Sequence, residues 1–338
     1  MKTSELRHAL ELVKPGLARK ELLEQATSII FKDDKVWTFN DEVAVVVPLK
    51  IGLIGAVPAD PLYKLLAKLP PDGDLRIEEE SPDQKQELRF SCGRNRAGIR
   101  RDEEIRLPLD EEIGEPEGWQ DLPEGFTKAL DRVLFSCAQG GHRPILTCVH
   151  ITDNHIESCD GFRMTRIKIK AVCDDICIVG KNLENLTDYS PIKFGFSDNW
   201  IQFLNKDNVR YAVRMVEGDY PSLDQFIEFE GQDMEFPAED VKKALDWAKV
   251  IADDSIKYKQ NVDLSIQKGK LIVKGEGPDG WAEETLRLKY NGPVMEFKTN
   301  PIMFQEMLEL GGKIIVGKES LKIESDGYVH VVSLENEE

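Results

Sequence analysis

The chain has 338 residues, 41% of them apolar, and a formal net charge of −18. That length exceeds one ordinary core and suits two or three domains. No stretch approaches a membrane span, and Met1-Lys2-Thr3-Ser4-Glu5 lacks the apolar run of a secretory leader, so a cytosolic protein is expected. The acidic balance excludes a nucleic-acid binder that works through overall charge, but not one with a single basic face.

The first apolar stripe is Leu6, Ala9, Leu10 and Val13, spaced i, i+3, i+4 and i+7 as on one face of an amphipathic helix. Arg19 and Lys20 follow in a turn, then a strand at Ser28 to Phe31. Asp60-Pro61 reads as a second helix start, with an Asx cap and proline at the first helical position. Alternating strands at Leu75 to Glu78 and Glu87 to Cys92 close this stretch. Gly114-Glu115-Pro116-Glu117-Gly118 is polar and glycine-bearing, as a linker should be.

The same order then returns twice. Phe126, Ala129, Leu130 and Val133 repeat the stripe, and so do Val241, Ala244, Leu245 and Ala248. Strands follow at Cys148 to Ile151 and at Val262 to Ile266. Lys181-Asn182-Leu183 stands where the second helix belongs in the middle copy, and Asn300-Pro301 starts it in the last. Strands at Ile192 to Leu204 and Lys313 to Val332 close the two copies. The period is about 115–120 residues, the size of a small domain. The expected fold is therefore α+β: three tandem copies of one domain, two helices packed on antiparallel sheets, over residues 1–117, 118–232 and 233–338.

Possible chemistry is sparse. The six cysteines (Cys92, Cys137, Cys148, Cys159, Cys173 and Cys177) form no paired CxxC frame and read as small buried residues. Cys148, His150, His155 and Cys159 fall on one face of a hairpin turning at Asp153-Asn154. Side chains spread along a flat hairpin converge poorly on bonds of about 2.0–2.3 Å, so no metal is expected. Gly275-Glu276-Gly277-Pro278-Asp279-Gly280 spells GxGxxG, but an alternating run follows instead of a helix, so a hairpin turn is expected. Glu78-Glu79-Glu80 and Asp102-Glu103-Glu104 read as solvated charge runs. With no GxSxG, HExxH or P-loop, the expectation is a protein that is not an enzyme and carries no cofactor.

Three segments resemble a known family. Asp160-Gly161-Phe162-Arg163-Met164 resembles the Asp-Gly-His-Arg-Leu turn in the middle domain of the bacterial β sliding clamps, with Phe162 in place of the usual His. Gly218-Asp219-Tyr220-Pro221 is similar to that family's Gly-x-(Phe/Tyr)-Pro turn. Gly93-Arg94-Asn95-Arg96 resembles its first-domain edge segment. The C-terminus departs: Val331-Val332-Ser333-Leu334 and then Glu335-Asn336-Glu337-Glu338 stand where the family often has a Met-Pro-Met-Arg-Leu-like strand. That divergence points to a phage or otherwise remote member.

The resemblance implies a homodimer closing head to tail as a ring on double-stranded DNA, without sequence preference, in a bacterial or phage-infected cytosol. Non-specific phosphate contacts suit such a tether. The turns after the three first helices supply Arg19 and Lys20, His142 and Arg143, and Lys257 and Lys259. The helix faces add Arg7, Lys14, Lys128, Arg132, Lys242, Lys243 and Lys249. It also implies a pocket for short peptide motifs of a replicative polymerase and a clamp loader. Its walls would be Gly161, Phe162, Arg163, Met164, Tyr220, Pro221 and Phe226, with Val332 and Leu334 from the last strand. Ala97 and Ile99 would meet Val250 and Ile251 at the dimer interface. A metal-dependent enzyme using the His/Cys hairpin, or a clamp-like interaction protein that never closes on DNA, remain as alternatives.

Overall fold

A computed structural model describes residues 1–79, 87–170, 175–252 and 260–335. The chain opens with α1 (Thr3–Val13), β1 (Ser28–Lys32), β2 (Lys35–Phe39), β3 (Val43–Pro48), β4 (Gly55–Pro58), α2 (Ala59–Ala67), β5 (Leu75–Glu79), β6 (Glu87–Cys92) and β7 (Asn95–Arg100). A short α3 (Leu109–Glu112) and β8 (Gln120–Asp121) lead to α4 (Phe126–Leu134), β9 (Cys148–Ile151), β10 (His155–Cys159), β11 (Arg163–Lys168) and β12 (Ile176–Val179). Next come β13 (Lys193–Ser197), β14 (Trp200–Leu204), β15 (Arg210–Val216), α5 (Asp224–Ile227) and β16 (Gln232–Met234). The chain continues through α6 (Ala238–Lys249), β17 (Val262–Gln267), β18 (Lys270–Gly277), β19 (Gly280–Arg287) and β20 (Met295–Thr299). It ends with α7 (Pro301–Leu310), β21 (Ile314–Val316), β22 (Ser320–Ser325) and β23 (Tyr328–Ser333).

All twelve stripe residues of α1, α4 and α6 are buried, as the 3.6-residue period requires. The described residues form two compact units, Met1–Lys128 with Ile178–Glu217, and Ala129–Cys177 with Gly218–Glu338. In the first unit the strands run β4-β1-β2-β3, and β3 continues into β15-β14-β13; β5-β6-β7 form a separate sheet. In the second unit β21-β22-β23 continue into β11-β10-β9, and β19-β18-β17-β20 stand apart. The order third-second-first therefore recurs in β3-β2-β1, β11-β10-β9 and β19-β18-β17, always antiparallel.

One joining rule holds twice. β15 pairs with β3, Tyr211 opposite Val45, and β23 pairs with β11, Thr165 opposite His330. In each case the last strand of one copy joins the third strand of the copy before it. β7 and β19 are the remaining strands of these two kinds, and each has a strand partner on one side only among the described residues.

A packing detail also recurs. The Thr38 hydroxyl donates to the Val13 carbonyl, and the Ser158 hydroxyl to the Val133 carbonyl, at the ends of α1 and α4. At the matching place α6 lies so close on β18 that a Cβ on Gly275 would overlap the Ala248 carbonyl oxygen. A hydroxyl satisfies the carbonyl in two copies, and the absence of a side chain lets the helix approach in the third.

Two local expectations fail. Two 3-10 turns, Gly180–Asn182 and Leu186–Tyr189, replace an α-helix in the middle copy. Asn182, Asn185 and Thr187 are weak helix formers, and Ser190 sits in the left-handed region at φ 48°. Asp60 does not cap α2: the helix starts at Ala59 after Pro58, and Asp60 instead pairs with Lys64. Asn300 does cap α7, accepting from the amides of Ile302 (3.0 Å) and Met303 (3.2 Å). The hairpin at Gly277 to Gly280 is as expected, the two glycines facing each other in register. The Asp102–Glu104 run is tied down by Arg101, Arg106 and Gln25 and is not merely solvated.

Candidate functional site

The loop between β10 and β11 is built by its own residues. Asp160 Oδ1 accepts from the amides of Phe162 and Arg163, both at 2.9 Å, an Asx turn that Gly161 completes at φ 93°. Asp160 Oδ2 accepts from Arg163 Nε at 3.0 Å. Arg163 also pairs with Glu306 on α7 and lies 5.1 Å over the Phe135 ring. Burial pushes the Glu306 carboxyl up against the pull of that arginine. Arg163 is thus a brace, and the turn it holds presents Phe162 to solvent at 41% exposure.

This turn walls a cavity of about 240 Å³. Met164, Leu223 and Val331 form a buried cluster beneath it. Pro221, Gln225 and Phe226 also line it, with Phe226 47% exposed, and Arg143, Leu146 and Cys159 complete the lining with Ser222, Ser320 and Ser333. The site is an apolar floor with a polar rim, the chemistry that anchors apolar side chains of a peptide.

Of the nine pocket residues read from the sequence, Gly161, Phe162, Arg163, Met164, Pro221 and Phe226 come together. Val332 and Leu334 do not: they are buried in another core, among the helix and strand residues of the last copy. Strand residues alternate faces, so with Met164 opposite Val331 the wall falls to Val331 and Ser333. The register to β11 fixes this parity, and no local pattern in the last strand announces it. Tyr220 lies beneath, stacked 4.6 Å from the His150 ring at 19°. Burial raises its phenol far above the usual range.

His150 and Glu157 sit opposite each other across β9 and β10. His150 Nδ1 is 2.8 Å from Glu157 Oε1, and its Nε2 is 2.8 Å from Asp175 Oδ1. His155 Nε2 approaches the same Glu157 oxygen at 3.4 Å. Glu157 Oε2 accepts from Arg166, which also pairs with Asp224, each at 2.7 Å. Burial alone would raise the Glu157 carboxyl; the two histidines and Arg166 outweigh it and bring the pKa down to about 2. Burial pulls His150 down, but the two carboxylates outweigh it and raise the imidazole. The expected divergence of this hairpin's side chains is therefore corrected. Its two histidines converge, on Glu157 and not on the cysteines, of which Cys148 is buried and Cys159 half-buried.

The basic turns vary. Arg19, Lys20, His142 and Arg143 lie between the first helix and first strand of their copies; all four are exposed, and Arg143 also lines the cavity. Lys257 and Lys259 lie outside the described residues, as does Cys173. Arg7 is spent on packing, donating to the carbonyls of Leu66 and Leu69. Lys14, Lys242 and Lys249 are held by neighbouring acids, and Arg132 lies over Tyr328. Lys243 and Lys128 are both exposed.

On the open edge β7, Ala97 is half-buried and Ile99 faces the core at 7% exposure, so Ile99 is no surface anchor. Val250 is 74% exposed, Ile251 half-buried, and Trp247 and Trp281 are exposed at 58% and 67%. The two tryptophans escape a reading of the sequence, although Trp247 stands three residues before Val250, on the same helix face.

No helix among the described residues is long and apolar enough to cross a membrane. No family model matches the sequence. The curated β sliding clamp of Streptococcus pneumoniae TIGR4 is 23% identical over 167 residues, which cover 45% of this chain and only 43% of the relative's length. The structural likeness is broader. A DnaN sliding clamp from Bartonella birtlesii, bound to griselimycin, superposes with a TM-score of 0.86 at 17% identity, covering 99% of this chain and 98% of that one. A DnaN sliding clamp from Pseudomonas aeruginosa, DNA polymerase III subunit beta, also bound to griselimycin, gives 0.83 at 18% identity over 99% and 98% of the two chains. The DNA polymerase sliding clamp of Bacillus subtilis gives 0.82 at 17% identity over 100% and 98%. The near-complete superpositions show that this chain is built on the α+β fold of the bacterial DnaN sliding clamps.

Proposed function

We propose that the chain is a DNA sliding clamp, a processivity factor that acts by topology and not by catalysis. Two copies would close head to tail into a ring of six domains, three from each copy, divided near residues 117 and 232. The observation that carries this reading is the joining rule. β15 takes β3 and β23 takes β11, so β7 of one copy is left to take β19 of another. Such a heterologous contact must close, or it grows a filament.

Surface chemistry supports that pairing. β7 carries Arg96 and Arg100 on its exposed positions, while β19 exposes Glu283 beside Trp281. Val250 and Trp247 add an apolar patch at the end of α6, with Ile251 beside them. Ala97 and Ile99 would contribute backbone pairing, the buried Ile99 holding the strand in place.

Duplex DNA would meet the turns bearing Arg19 and Lys20 and bearing His142 and Arg143, with Lys257 and Lys259 as the third pair. Sparse phosphate contacts give affinity without sequence preference and leave the ring free to move. Short peptides of a polymerase and of a loader would seat an apolar side chain between Phe162, Met164 and Phe226. The setting would be the cytosol of a bacterium or of a phage-infected cell. The test is retention on nicked circular DNA during gel filtration, before and after one cut. Loss on cutting supports a closed ring, and equal retention on circle and linear DNA contradicts it.

A further inference from the structure

The His150, His155 and Glu157 cluster carries an inference independent of the clamp reading. We propose that it is a binding site for one divalent transition-metal ion of the zinc type, held by His150 Nδ1, His155 Nε2 and Glu157 Oε1.

Three observations support this. The three candidate ligand atoms lie within 4.8 Å of one another. A zinc ion with bonds of about 2.0–2.1 Å sets its ligand atoms roughly 3.3 Å apart; His155 Nε2 already stands 3.4 Å from Glu157 Oε1, and the 2.8 Å His150 contact need open only slightly. Second, the far nitrogen of each ring is held by an acceptor. His150 Nε2 meets Asp175 Oδ1 at 2.8 Å, and His155 Nδ1 meets Asn154 Oδ1 and, at 3.1 Å, Thr152 Oγ1. Metal-ligating histidines have this arrangement, in which the outer partner fixes the tautomer and turns the other nitrogen's lone pair inward. His155 Nε2, turned so, is buried with no hydrogen-bond partner among the described residues, 3.4 Å from a carboxylate oxygen. Two acceptors facing each other out of water want a cation between them.

Third, the surroundings are acidic. Glu157, Asp175 and Asp224 bring three carboxylates around His150 and Arg166, against the one permanent positive charge of Arg166. Asp175 and Asp224 are exposed to water, so Glu157 is the buried carboxylate that an ion at the site would meet. Glu157 divides its oxygens, Oε2 to Arg166 and Oε1 to the site. Two imidazoles and one carboxylate favour zinc or cobalt over magnesium or calcium, which take oxygen ligands.

The ion would brace the pocket. His150 stacks on Tyr220, which leads into Pro221, and Arg166 ties Glu157 to Asp224 on the helix that carries Phe226.

The experiment loads the full chain, stripped with chelator, with zinc or cobalt alone. Metal remaining after gel filtration is measured, and the visible absorption of the cobalt form is recorded. The proposal expects one equivalent per chain, a cobalt d–d band, and a rise in Tm on loading. His155→Ala, at a partly exposed position, should keep the metal-free Tm and lose at least tenfold in affinity. Glu157→Gln should lose metal likewise, at some cost in Tm, if it folds; the His155 variant decides if it does not. No stoichiometric metal on the wild type, or equal retention by the His155 variant, overturns the site and leaves the histidines paired with their carboxylates through protons alone. Neither result bears on DNA retention.

Discussion

His330 is fully buried on β23, its Nδ1 2.9 Å from Thr165 Oγ1 and its ring 5.2 Å from that of Phe135. Burial, helped by the nearby Arg163 charge, lowers its pKa to about 3. The folded value lies below the unfolded one, about 6.5, so the fold favours the neutral ring. The contribution is complete above that pH and is lost as pH falls through it, at about 1.4 kcal/mol per pH unit. Replacing His330 with Gln should flatten the fall of Tm between about pH 6 and pH 4. An unchanged slope would mean that other groups set the acid limb. Phe226 makes a contrasting case. At 47% exposure it contributes little to the fold, so Phe226→Ala should leave Tm unchanged. Binding of a short apolar-anchored polymerase peptide should weaken by about tenfold or more in a titration, because buried aromatic contacts dominate such sites. Unchanged affinity would remove Phe226 from the pocket. Much of this wall is legible in the sequence, because the Asp160–Met164 turn is local chemistry. Val331 and Ser333 are not, since which side of β23 faces the pocket depends on a partner strand distant in sequence.

Among elements, the close approach of α6 to β18 is the sharpest constraint. A side chain at Gly275 would collide with the backbone of Ala248, so Gly275→Ala should cost about 1–3 kcal/mol in denaturant unfolding. Gly118→Ala, where a Cβ meets nothing within 4 Å, should stay within about 0.5 kcal/mol. Equal effects would show that the glycine serves chain freedom and not packing. The helix stripes are readable because burial follows a 3.6-residue period whatever the partner. The middle copy's second helix is not, because position in a repeat says nothing about local propensity. There the asparagines and Thr187 favour tight turns, and tertiary packing of Leu183 and Leu186, both fully buried, accepts them. Strand order is a property of pairing between segments far apart in the chain, so the repeat implies that the three orders match without saying what the order is.

For the whole molecule, an acidic chain of net charge −18 can hold DNA only through locally placed cations. Replacing Arg19 and Lys20 with alanine should weaken retention on DNA and flatten its logarithmic salt dependence by about 0.9 for each phosphate no longer neutralised. An unchanged slope would move the DNA path elsewhere. Arg143 is a poorer probe, because it also lines the pocket. The most direct measurement is the mass of the particle by sedimentation equilibrium over a wide concentration range. Closure of β7 on β19 between two copies predicts a species of twice 38.3 kDa that does not grow with concentration, and Val250→Asp, at a position 74% exposed in the single chain, should reduce it to the single-chain mass. A wild type that sediments as a single chain throughout, or one whose mass climbs steadily with concentration, would contradict the closed ring.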